Sequence, residues 1–329
     1  MTRRAIHHRL FRYVLAGFRT FVWQLRRRFQ TTVDVRAREG LLTVSTGDQG
    51  VGARIYVDRQ FEYDFSVAAV QLLRMKGFLP SEGVVMVDVG ANIGVISIGL
   101  VRAGLVARAV AIEPEPENYR LLQRNVRQNA VTDRLTCVKM AVGEVPTTLT
   151  MELSQDNTGD HRVRAAQPLA EEHHHESTRI TMLAPSLPLP QLMALPEIRD
   201  AGMAAPSLIW IDVQGYEGYV FRGAKVMLEG GLPTVSEVWP YGILRAGMSL
   251  DEFCEIVGAI WSNYWVLRED RFIRYPVAVF DRYIDELGNE GFGNIILTAE
   301  LPRGETGLSP QHEKDSVTKA GSSFQSSSK

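Results

Sequence analysis

Apolar side chains recur at three- and four-residue intervals through the first thirty residues: Ile6, Leu10, Val14, Phe18, Phe21, Val22, Leu25 and Phe29. That spacing predicts one amphipathic helix with arginines on its other faces. Two readings of it are open. In the preferred one the helix packs on the body or on a second subunit. In the other it lies on an anionic membrane surface, which a basic face opposite Phe and Trp23 also suits.

From about residue 40 the pattern shortens. Leu41–Ser45 and Arg54–Val57 read as short strands around the turn-forming Gly47-Asp48-Gln49-Gly50, and Phe65–Met75 as a helix ending near Gly77. Val84–Val89 is a continuous apolar strand running into glycines, followed by a helix over Ile93–Ala103. Ala109–Ile112, Glu117–Asn129 and Leu135–Val138 repeat the alternation as strand, helix and strand. Uninterrupted apolar strands joined by helices predict an α/β fold whose parallel sheet is covered on both faces. Residues 145–206 read as irregular, with strands at Thr147–Leu153 and Arg179–Leu183 and a winding connection over Pro185–Pro196. Regularity returns with a strand at Ser207–Val213, a helix over Tyr216–Leu228 and a strand at Thr234–Val238. A helix capped by Ser249 with Glu252 at its third position follows, and then a last strand at Ile295–Thr298. The organisation expected is a basic helical segment over 1–40, one domain over 41–300 and a serine-rich, disordered tail over 301–329.

Composition narrows the function. With 45% hydrophobic and 22% charged residues, the chain is neither wholly disordered nor fibrous. Two distant cysteines, Cys137 and Cys254, exclude a disulfide scaffold and a cysteine-rich zinc module, and favour a reducing, cytoplasmic setting. Residues 1–30 hold eight arginines and no acid, which leaves 28 basic against 38 acidic side chains, a net −10, for the rest. An acidic body argues against nucleic acid as the partner. No apolar run is long enough to span a membrane, and the uncharged stretch Tyr13–Phe18 is too short for a secretory core.

The sharpest local signal is Val85-Met86-Val87-Asp88-Val89-Gly90-Ala91-Asn92-Ile93-Gly94. A buried strand ends near an acid, and a Gly-x-Asn-x-Gly turn opens a helix, so backbone can approach a ligand at the helix N-terminus. Asn92 and Val95 stand where a dinucleotide fingerprint needs glycine, which counts against NAD or FAD. Asp88 would repel a pyrophosphate and suits a cation, such as the ammonium of a methionine moiety. Glu113, in Ala111-Ile112-Glu113-Pro114, ends the second strand at the distance that lets an acid accept both hydroxyls of a ribose. Glu117-Asn118 opens the helix that follows.

These blocks, together with Leu121-Leu122-x-x-Asn125-Val126-x-x-Asn129, Ala141-Val142-Gly143 and Ile211-Asp212-Val213-Gln214-Gly215-Tyr216-Glu217, resemble the FkbM family of S-adenosylmethionine-dependent methyltransferases over roughly residues 60–300. The resemblance implies a Rossmann-like class I methyltransferase fold with a mostly parallel, seven-stranded sheet. It implies S-adenosylmethionine as cofactor, held by Asp88, Gly90, Ala91, Asn92, Gly94, Glu113, Pro114, Asn118, Ala141 and Val142. It also implies a small-molecule or glycan acceptor methylated on a hydroxyl. Gln214 departs from the family, which usually has glutamate there.

Asp212 and Glu237 end adjacent strands, and Glu217 lies a turn into the helix after Asp212. A close carboxylate pair can raise one pKa enough to make a base, or can hold a divalent cation, although no metal is assigned. The competing readings are that Asp212 caps the helix and Glu217 forms a salt bridge. His161 follows the turn Asn157-Thr158-Gly159-Asp160, which resembles the family's Asn-x-Gly turn; the resemblance implies a place over the acceptor side, which makes His161 a further base candidate. His173-His174-His175 is read as a solvated loop, and Trp239-Pro240-Tyr241 as the best-placed aromatic wall for an acceptor. The alternatives are a nicotinamide-dependent oxidoreductase and a non-catalytic scaffold on the same fold.

Overall fold

The computed structural model describes residues 3–164, 174, 176–203 and 205–300. Helix α1 (Arg3–Arg26) leads into a hairpin of β1 (Thr32–Arg36) and β2 (Leu41–Ser45), then α2 (Val51–Asp58) and α3 (Tyr63–Met75). The alternating part follows as β3 (Val85–Val89), α4 (Val95–Arg102), β4 (Arg108–Ile112), α5 (Pro116–Gln128) and β5 (Leu135–Val138). An excursion holds β6 (Ala141–Val142), β7 (Thr147–Leu153), β8 (Arg162–Val163), β9 (Ile180–Leu187), α6 (Leu189–Met193) and α7 (Pro196–Asp200). The chain then returns through β10 (Leu208–Ile211), α8 (Glu217–Leu228), β11 (Thr234–Val238), α9 (Pro240–Arg245) and α10 (Leu250–Ile260). It ends with β12 (Asn263–Arg268), β13 (Arg271–Pro276), α11 (Phe280–Leu287) and β14 (Gly293–Thr298).

The main sheet has the order β13-β12-β14-β11-β10-β3-β4-β5. Pairings from β5 to β11 are parallel, and β14 runs antiparallel between β11 and β12. This is the class I methyltransferase order. The sheet has eight strands rather than the expected seven, because β13 folds back on β12 at the edge. Glu269 and Asp270, at φ 46° and 65°, make the left-handed two-residue turn between them. Successive residues of a strand face opposite sides, so the sheet divides the core in two. Met86, Trp210 and Val235 pack with Leu73, Ile98 and Leu122 on one side. Val87, Ile209 and Val238 pack with Phe221, Phe253 and Val257 on the other.

Other departures from the sequence reading have local causes. Arg54–Val57 is helix, not strand: Val51, Gly52, Ile55 and Tyr56 are buried at helical spacing, and the Asp48 carboxylate accepts the Gly50 and Gly52 amides at 2.9 and 2.8 Å. The boundary expected at residue 40 falls inside the β1–β2 hairpin, where Val33 and Val35 are buried in alternation. The proline-rich connection is partly strand, since β9 continues through Pro185 to Leu187, and partly the helices α6 and α7. Pro185 has no N–H to give, and the flank of β9 opposite β7 is paired only at Ser186 and Leu187. The serine-rich tail after residue 300, and His173 and His175 of the histidine run, lie outside the described residues.

Candidate functional site

The carboxyl ends of β3, β4 and β10 open onto a cleft, the position where open α/β sheets bind ligands. The turn after β3 shapes its floor. Gly90 has φ 84°, and its N–H and that of Ala91 both donate to the Ile112 carbonyl at 3.0 Å. A Cβ at Gly90 would overlap the Asp212 carbonyl oxygen, so only glycine lets the two strand ends meet. Gly94, at φ 86°, sits at the N-cap of α4.

Glu113 is buried at the end of β4 and lines the cleft. One of its oxygens accepts the Asn92 amide at 2.9 Å and the other the Glu115 amide at 2.8 Å, which fixes the carboxylate plane. Burial nevertheless pushes its pKa up to about 8. Glu115 caps α5 by accepting the Asn118 amide at 2.6 Å. The strap between β7 and β8 crosses above. Its Thr158 carbonyl takes the side-chain amides of Asn92 and Asn118, at 3.2 and 3.1 Å. Asp48, from the N-terminal part of the chain, anchors the strap by accepting the Thr158 hydroxyl at 2.8 Å. The carboxamide oxygens of Asn92 and Asn118 are buried with no partner among the described residues.

At the other end of the cleft Asp212, Glu217 and Glu237 each place a carboxylate oxygen within 4.8 Å of the others. Gln214, at φ 54°, spans two of them: its amide nitrogen donates to Asp212 at 2.7 Å and to Glu237 at 2.8 Å. Burial raises the pKa of Asp212, although hydrogen bonds from Gln214 and Glu237 oppose the rise. Glu237 is raised well above its ordinary value by burial and by the charges of Asp212, Glu217 and Glu62. Burial also brings Glu217 to about 7, with one oxygen accepting the Val213 and Gly215 amides. Glu62, which the sequence did not flag, is likewise raised to about 7 by burial and by Asp212. Four carboxyls around one end of a cleft hold protons far more readily than isolated ones.

The wall beside this cluster rests on Arg162, 1% exposed and lining the cleft. It pairs with Asp160 at 2.5 Å and Glu176 at 3.3 Å and lies 4.7 Å over the Trp239 ring. The Tyr241 hydroxyl donates to Glu176 at 2.6 Å. Burial alone would raise Glu176, but the bonds from Tyr241 and the His174 amide, with the Arg162 charge, hold it at about 2.

Seven of the ten residues expected around the cofactor line the cleft: Gly90, Asn92, Glu113, Pro114, Asn118, Ala141 and Val142. Ala91 and Gly94 shape the turn behind it. Asp88 faces α4, accepting the Ser97 hydroxyl at 2.5 Å, and burial raises its pKa to about 7. Of the candidate bases, Asp212 and His161 line the cleft, and Glu217 and Glu237 stand behind Asp212. Asp212 does not cap α8, whose N-cap is Tyr216. The acids that act on His161 are Glu115, Asp160 and Asp48, not the Asp212–Glu217–Glu237 cluster. Its Nδ1 accepts the Ser154 amide at 3.0 Å, and burial lowers its pKa. Trp239 and Tyr241 are buried beneath Arg162 and His174, while Tyr216 lines the cleft in their stead. Asp48 and Thr158 were read only as turn residues and Arg162 was not singled out, because the contacts that give them a role here, Thr158 with Asp48 and Arg162 with Trp239, are remote in sequence.

The chain matches the Methyltransferase FkbM domain over residues 88–262, more than half its length. No curated protein matches it. Among solved structures it is similar to an O-methyltransferase from Bacillus cereus in complex with SAH, at 14% identity and TM-score 0.39, covering 72% of this chain and 81% of that one. It is also similar to precorrin-6y C5,15-methyltransferase from Geobacter metallireducens, at 13% identity and TM-score 0.36, covering 72% and 88%. The matched span runs from the acid before the glycine turn, through Glu113 and the acids at the ends of β10 and β11, to the start of β12. This chain therefore belongs to the FkbM methyltransferase family.

Proposed function

We propose that the protein transfers a methyl group from S-adenosylmethionine to a hydroxyl oxygen on a glycan or secondary-metabolite acceptor. One observation carries the reading: a fixed, cleft-lining Glu113 at one end and the proton-hungry Asp212–Glu237 pair, bridged by Gln214, at the other. The donors and acceptors present fit that cofactor. Glu113 has lone pairs left for two ribose hydroxyls, and the orphaned oxygens of Asn92 and Asn118 can accept from further N–H or O–H groups. Met140, Ala141 and Val142 offer an apolar flank. When bound, S-adenosylmethionine supplies an electrophilic methyl on a sulfonium.

The chain's own part is positioning and proton transfer. The strap from Ser154 to His161, tied to Asp48, Asn92 and Asn118, holds Thr158, Gly159 and His161 along one side of the cleft. Asp212, the member of the acid cluster open to the cleft, takes the acceptor's hydroxyl proton. Burial raises the basicity of the group against the hydrogen bonds from Gln214 and Glu237, and Gln214 fixes its orientation.

The test offers methyl-labelled S-adenosylmethionine to the protein with pools of hydroxylated glycans and metabolites. The expected product carries label in a base-stable methyl ether. Label on nitrogen, or in a base-labile ester, would overturn the hydroxyl assignment.

A further inference from the structure

Among its described side chains, helix α1 packs on the body through one side. Trp23 is buried against Tyr56 of α2, with ring centroids 5.2 Å apart, and Arg19 donates to the Val57 carbonyl at 2.9 Å. Of the described part of the apolar stripe read from the sequence, Val22 packs against the core, but the rest does not. Val14, Phe18, Phe21, Leu25 and Phe29, spaced by four, three, four and four residues, are 48–78% exposed. Five large apolar side chains in one row form a patch that a water-facing surface rarely keeps.

The charge around the stripe is of one sign. Residues 1–30 contain no acid, Arg27 and Arg28 are exposed, and none of Arg19, Arg26, Arg27, Arg28 and Arg59 is in an ion pair among the described residues. Arg26 and Arg59 both sit over the Tyr56 ring, at 5.8 and 5.0 Å. Burial, with the charges of Arg19 and Arg26, lowers the pKa of Arg59, in keeping with cations gathered at this place. A second copy of the helix laid on the stripe would bring like charges face to face. An anionic sheet of headgroups over an apolar interior supplies both the missing charge and an apolar partner. No described helix is long and apolar enough to cross a membrane, so such contact would be peripheral.

We propose that the face of α1 and its following turn bearing Val14, Phe18, Phe21, Leu25 and Phe29, bordered by Arg27 and Arg28, docks on an anionic lipid bilayer. The apolar row enters the headgroup boundary and the arginines meet the lipid phosphates. The net −10 of the rest of the chain keeps the body off the same surface.

The test is co-sedimentation of the full chain with vesicles of phosphatidylcholine alone or mixed with phosphatidylglycerol. Binding is expected only to the mixed vesicles and weakens as salt rises. Arg27→Glu with Arg28→Glu should lower the partition coefficient roughly 25-fold or more, at about 1 kcal/mol per arginine. Phe18→Glu with Phe21→Glu should release the protein as well. All four side chains are exposed, so neither variant should change the melting temperature. Equal binding to neutral vesicles, or none to mixed ones, would overturn the proposal. So would a dimer in solution that Phe18→Glu with Phe21→Glu dissociates, because a second copy would then cover the stripe.

Discussion

Asp212→Asn is expected to lower kcat about 10³-fold while cofactor affinity stays within a few-fold, as loss of a positioned general base would. The substitution keeps shape and hydrogen bonding but removes the group open to the cleft. A helix cap would tolerate it, since Asn caps as well as Asp, but Asp212 accepts from Gln214 and leaves the N-cap of α8 to Tyr216. The pH profile gives an independent readout. A base works in its deprotonated form, and burial with like charges raises the pKa of the Asp212–Glu237 pair. The kcat/KM of the wild type should therefore rise with pH, with its acid limb above the ordinary carboxylate range, and then level off. Gln214→Glu should move that limb further up, because an ionised glutamate gives no N–H to the pair and adds one more charge. An unchanged profile in Gln214→Glu, or wild-type turnover in Asp212→Asn, would remove these residues from the chemistry.

Gly90→Ala should be the most damaging single methyl in the cleft. The added Cβ would fall on the backbone carbonyl of Asp212, which cannot rotate away, and Gly90 sits at φ 84°, where alanine is strained. Overpacking and strain together give a loss of about 3 kcal/mol or more, read as a lower denaturant midpoint. Cofactor binding should disappear with it, because the same turn sets Asn92 against Glu113. Gly258→Ala is the control: a Cβ there meets open space, so stability should hold or rise slightly. Equal midpoints for the two variants would contradict the close approach of β3 and β10.

The parallel half of the sheet was legible because a strand covered on both faces is a continuous apolar run, as β3, β4 and β10 are. The cofactor half of the cleft was legible because Asp88–Gly94 and Glu113 are short-range signals with a fixed spacing. The β12–β13 hairpin was not, since its turn uses Glu269 and Asp270 at positive φ where a glycine or asparagine would have marked it. Helix α2 was hidden because its start depends on the side chain of Asp48, outside the helix. The acid cluster was half readable. Asp212, Glu217 and Glu237 end or follow strands, whereas Glu62 reaches them from before α3, about 150 residues away in sequence. Trp239 and Tyr241 looked like an acceptor wall, but the buried pair of Arg162 and Glu176 recruits them as its support. Only long-range contacts reveal that.

The most direct measurement of the central claim is calorimetric titration of S-adenosylhomocysteine into wild type and Glu113→Gln, with NAD as comparison. The wild type should bind one equivalent, and NAD should give no heat. Glu113→Gln should bind up to about ten-fold more weakly, since one of the two acceptor oxygens becomes an N–H donor, a net hydrogen bond being worth about 0.5–1.5 kcal/mol, and the amide would turn that donor toward the Asn92 or Glu115 N–H. Equal affinity in wild type and variant, or tighter binding of NAD, would contradict the placement of S-adenosylmethionine against Glu113.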